Sequence, residues 1–173
     1  MRFILTLAAL LLISAPAQAG AIFAFSFQNV TGNINGIVSG KITLSGTGDG
    51  TFSATSILVN AAPAGLGYTV PLDVLSVMPL VYVNTFVVSG GQIDKNLSSY
   101  ASENLSDAFT LNFGAFGSLL NIANSANAFS GVLDTTNFTL SYSTAAVPEP
   151  STAFALAAVC GVIGGLRRMR RSA

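Results

Sequence analysis

The chain has 173 residues, only 8% of them charged, against about 25% in ordinary soluble domains, so one modest core is the most it can build. It contains no histidine and a single cysteine, Cys160, which removes the commonest general base and metal ligand and any internal disulfide. Five of its seven basic residues (Arg2, Arg167, Arg168, Arg170, Arg171) stand near the ends, leaving Lys41 and Lys95 against six carboxylates between residues 20 and 146. That acidic middle excludes a nucleic-acid binder, which needs a basic footprint for phosphates.

The N-terminal segment combines a basic start (Arg2), a ten-residue apolar run from Ile4 to Ile13, a break over Ser14–Pro16, and Ala17-Gln18-Ala19. This is the tripartite pattern of a secretory signal peptide, with Ala17 and Ala19 as the small residues read by signal peptidase. The run is too short to span a hydrocarbon core of about 30 Å. Cleavage after Ala19 is predicted, making residues 1–19 the signal and Gly20 the first mature residue.

Residues 20–146 read as one extracytoplasmic domain of short strands. Ala21–Gln28 alternates, with Phe23, Phe25 and Phe27 on one face; Val38–Leu44 alternates again through Val38, Gly40, Ile42 and Leu44. Gly46-Thr47-Gly48-Asp49-Gly50 predicts a tight turn, with Thr51–Val59 as the returning strand. Further strands are expected at Pro79–Val83, Thr85–Val88, Gln92–Leu97, Phe109–Phe113 and Asn137–Ser143, with a second hairpin about Ser89-Gly90-Gly91. Leu97–Leu105 or Leu119–Ala128 is expected to hold a helical turn. Strands at this spacing predict an all-β fold, an antiparallel β-sandwich or jelly-roll-like domain.

Few groups in this domain bear chemistry. Only Asp49 in the Gly46–Gly50 segment supplies a carboxylate, so the segment reads as a turn and not a calcium loop. Asp94, Glu103 and Asp107 are the clustered acids that a polysaccharide hydrolase would use as its carboxylate pair. Solvated loop charges are the plainer reading. Asn29, Asn96, Asn104 and Asn137 each open an Asn-x-Ser/Thr triplet, read as a chance outcome of a composition rich in those residues. No catalytic residue, cofactor or metal ligand is predicted. The alternatives to a non-enzymatic protein are that hydrolase, or a sandwich binding calcium or glycan.

The C-terminal end has three parts. Val147-Pro148-Glu149-Pro150 is stiff and extended, since each proline fixes φ and biases its predecessor toward extended geometry. Ala153–Leu166 carries no charge and no polar face, and as a helix would cover about 21 Å. Arg167, Arg168, Arg170 and Arg171 close the chain; they can snorkel to lengthen the span, and they keep their side of the membrane cytoplasmic. Cys160 within this run is a small packing residue.

In order and spacing, with Ser151-Thr152 after the motif, these parts resemble the PEP-CTERM sorting signal. The resemblance implies recognition by an exosortase, a membrane-embedded cysteine transpeptidase-like enzyme of Gram-negative bacteria often encoded beside exopolysaccharide genes. The expected partners are therefore signal peptidase, exosortase, the membrane as a transient anchor, and exopolysaccharide. The expected destination is the cell surface or extracellular matrix.

Overall fold

The computed structural model describes residues 20–104, 111–114, 117–127 and 129–145. They form two antiparallel sheets facing one another across a core, an all-β sandwich. In the first sheet the order is β12 (Ser141–Thr144), β1 (Ile22–Gln28), β2 (Ile37–Leu44), β4 (Ala54–Ala61) and β5 (Leu72–Asp73). The second runs β11 (Gly131–Asp134), β10 (Ser118–Asn121), β9 (Leu111–Phe113), β8 (Ser99–Glu103), β6 (Leu80–Ser89) and β3 (Gly50–Phe52), with β7 (Gln92–Ile93) hairpinned onto β6. Each sheet is largely a meander. The chain changes sheet at β3, at β4, at β6 and finally at β12.

β1 forms as its alternation predicts: Phe23, Phe25 and Phe27 are buried and the intervening side chains face outward. Val38, Gly40, Ile42 and Leu44 of β2 share that inward face. Phe113 of β9 faces them from the second sheet, beside Phe86, Tyr100, Leu120 and Val132. Its ring meets Phe25 edge-on at 5.0 Å and also contacts Phe27, Tyr100 and Tyr142 at 6.0–6.2 Å, the offset geometries that ring quadrupoles favour. One cluster thus joins both sheets.

Several expected elements differ. Thr51–Val59 is not one strand: it breaks at Ser53, with Thr51 and Phe52 pairing β6 in the second sheet and Ala54 onward pairing β2 in the first. Asn84 of β6 stabilises the crossing, its side chain accepting from the Ala54 amide at 2.7 Å and donating to the Ala54 carbonyl at 2.9 Å. Pro79–Val83 and Thr85–Val88 merge into the single strand β6, with a register shift between Val81 and Val83. The predicted strand Gln92–Leu97 stops at Ile93, where Asp94 turns the chain by accepting the Asn96 amide and, through its carbonyl, the Ser98 amide.

Neither expected helical turn forms. Ser99–Glu103 completes ladders to both β6 and β9 and stacks Tyr100 against Phe86, so tertiary pairing overrides local propensity. Ser118–Asn121 is likewise strand, between β9 and β11. The only α-helix among the described residues, α1, is the single turn Val74–Val77. In the Asn137–Ser143 segment strand begins only at Ser141, because Asn137 adopts a left-handed φ of 54°. The second hairpin does form, with Gly90 and Gly91 both at positive φ as a two-residue primed turn requires. Of the predicted Phe109–Phe113 strand, residues 111–113 are β9; the remainder lies outside the described residues.

Candidate functional site at the paired chain ends

β12 is the edge strand of the first sheet and pairs only with β1, Phe23 opposite Thr144, Ala24 opposite Ser143, Phe25 opposite Tyr142 and Ser26 opposite Ser141. Because the pair is antiparallel, the start of β1 and the end of β12 lie side by side. The Ala145 amide donates to the Ile22 carbonyl at 3.0 Å. On the other flank of β1, Ala21 donates to Gly46 and accepts from Leu44, each at 2.9 Å. Gly20 lies so close to the Leu44 carbonyl that a Cβ there would collide with it. Gly20, the residue expected to follow signal cleavage, is thus packed against β2.

Little besides backbone holds β12. Ser141, Ser143 and Thr144 are exposed, and only Tyr142 turns inward, edge-on to Phe113. The Tyr142 hydroxyl is buried with no hydrogen-bond partner among the described residues, and burial raises its pKa far above the ordinary phenol value. Ser26 and Ser141 hydroxyls meet at 2.9 Å on the outer face.

The opposite end of the β1–β12 pair is built differently. Asp134 is fully buried, and its carboxylate accepts from the amide and hydroxyl of Thr136 (3.1 and 2.9 Å) and from those of Thr139 (2.6 and 2.7 Å). Burial alone would raise its pKa, but the Thr139 amide and then the other three donors hold it below the usual carboxylate value. Thr139 in turn accepts the Gln28 amide, locking the start of β12 to the end of β1. Asn29 bonds Gly32, Asn35 and the Leu133 amide, while Asn137 donates to Gly114 and accepts from Ser118 and, on its carbonyl, Lys95. These roles of Asp134, Asn29 and Asn137 were not legible beforehand, although Asp-Thr-Thr is a turn-forming string.

The acids singled out from sequence do not gather. Asp94 bonds back at Val87 of β6, whereas Glu103 pairs with Leu80 at the other end of that strand and accepts the Tyr82 hydroxyl. Seven residues of strand put the two roughly 20 Å apart, beyond the separations used in glycoside hydrolysis. Asp107 lies outside the described residues. Asp49 spends both carboxylate oxygens on the amides of Gly90 and Gly91, each at 2.9 Å; those bonds, the Gly91 amide foremost, lower its pKa. The Gly46–Gly50 turn thereby braces the β6–β7 turn. Among the described residues no three His, Cys, Asp or Glu side chains cluster, and no helix is long and apolar enough to cross a membrane.

Ala17, Ala19, Val147, Pro148, Glu149, Pro150, Arg167, Arg168, Arg170 and Arg171, with the apolar run Ala153–Leu166, lie outside the described residues. What the structure supplies is the end of the described β-sandwich, Ala145, still bonded to Ile22 and followed in sequence at once by the C-terminal segment. That segment is the PEP-CTERM protein-sorting motif, whose family matches residues 146–171. The motif supports sorting by exosortase at the C-terminal end and implies exosortase as the processing partner. No curated protein and no solved structure matches the chain.

Proposed function

We propose that the chain is a non-enzymatic exported protein, displayed at the cell surface or in the exopolysaccharide matrix of a Gram-negative bacterium after processing at both ends. Signal peptidase releases Gly20; the C-terminal helix then holds the chain at the inner membrane, arginines inward, until exosortase acts. The observation that carries this reading is the sorting motif at 146–171, which follows directly on Ala145, the last described residue of the sandwich. The absence of histidine and the wide separation of Asp94 and Glu103 support a role as cargo over hydrolysis.

Cell fractionation tests it. In a strain with exosortase the mature domain is expected in the surface or matrix fraction, and deleting exosortase should trap it in the inner membrane. An unchanged distribution on deletion would refute the sorting route. Asp94→Asn with Glu103→Gln should leave surface phenotypes unaltered; loss of a polysaccharide-cleaving activity would restore the hydrolase.

A further inference from the structure

The junction between fold and motif has almost no slack. Ala145 is still bonded to Ile22, the matched motif begins at the next residue, and Pro148 follows three residues after the bond. By chain length alone, at about 3.3 Å per residue, Pro148 is tethered within about 10 Å of Ala145. An enzyme held in the membrane would therefore have to reach the motif within a few residues of the end of β12.

Resting on the sorting reading above, we propose that β12 is a releasable strap: it unzips from β1 to deliver the motif to exosortase, so docking of this edge strand restrains processing. The strand is built for release. It pairs on one side only, exposes three of its four side chains, and buries one hydroxyl without a partner. The end of its ladder nearest the motif, at the Ala145–Ile22 bond and the Phe23–Thr144 pair, is where an edge strand opens most easily. The other end is fixed, since Leu140 is buried and Thr139 is bound to Gln28 and Asp134. Release therefore stops at residue 140 and frees residues 141–145, about 17 Å of extended chain. The core survives the loss, because Phe113 keeps Phe25, Phe27 and Tyr100.

A reversible cross-link tests the strap in the full-length chain in an exosortase-bearing strain. Ala24→Cys with Ser143→Cys, in a Cys160→Ala background, places two thiols directly opposite on the outer face, within the Cα spacing a disulfide accepts. The oxidised precursor is expected to lose its C-terminal peptide about tenfold more slowly than either single-cysteine control, with reduction restoring the rate. Ser26→Cys with Ser141→Cys gives a second lock, where the native hydroxyls already meet. Tyr142→Ala, which loosens the strap without a cross-link, should be processed faster. Processing of either verified disulfide-locked protein at the control rate would overturn the proposal. Retention of the C-terminal peptide by the unsubstituted chain would instead overturn the sorting reading.

Discussion

The two ends of the β1–β12 pair hold the chain by different means. Where β1 ends and β12 begins, side chains form the ties: Asp134 takes four hydrogen bonds, Asn29 three and Asn137 three more through its amide and carbonyl. Where β1 begins and β12 ends, the ties are backbone ladder bonds, and exposed Ser143 and Thr144 add no packing. Side-chain networks rigidify because each buried donor or acceptor is costly to leave unpaired, whereas a ladder on an edge strand opens locally. Both ends of the described domain, Gly20 and Ala145, lie at the second kind of construction. The domain is firm where nothing needs to move.

The largest effect that would sharpen this contrast lies in the core both ends share. Phe113→Ala should cost about 4 kcal/mol, read as a lowered denaturation midpoint, because the ring joins the two sheets and leaves a cavity. A loss below about 1 kcal/mol would mean the sheets do not depend on that cluster.

Next is the firm end. Asp134→Ala should cost about 2 kcal/mol, since it removes the buried acceptor of four hydrogen bonds from exposed Thr136 and half-buried Thr139. The native carboxylate has a pKa below its unfolded value, so its contribution is complete above about pH 4 and is lost as pH falls through the folded value. Asp134→Asn should therefore flatten the acid limb of a stability–pH curve. A limb unchanged in shape would deny Asp134 this role.

At the loose end the sign reverses. Tyr142→Phe removes a buried hydroxyl without a partner and should stabilise by about 1 kcal/mol in a chemical denaturation series. A comparable destabilisation would mean that the hydroxyl is satisfied in solution. The smallest effect is expected from Asp49→Ala, whose exposed carboxylate braces a turn remote from the core. Amide exchange at Gly90 and Gly91 should quicken while the thermal midpoint stays close to that of the parent.

How much of this was legible follows the same division. β1 could be read because Phe23, Phe25 and Phe27 put the period of two into large side chains, and the Gly90-Gly91 turn because it needs positive φ. Ser99–Glu103 could not, since its small and polar residues carry no periodicity and only pairing with β6 and β9 makes it a strand. The break at Ser53 was hidden for a similar reason: the partner that fixes it, Asn84, is 30 residues away. Asp134 looked like any solvated acid until its donors were assembled. The sorting segment was readable because it works as a linear string of prolines, apolar residues and arginines, which needs no fold to be recognised.

The account rests most directly on what happens to that string. Mass spectrometry of the C-terminal peptide of the mature protein, from cells with active exosortase, should find chains ending before Ala153 and no peptides from residues 153–173. Chains carrying the intact Arg-rich end as the predominant mature form would contradict it.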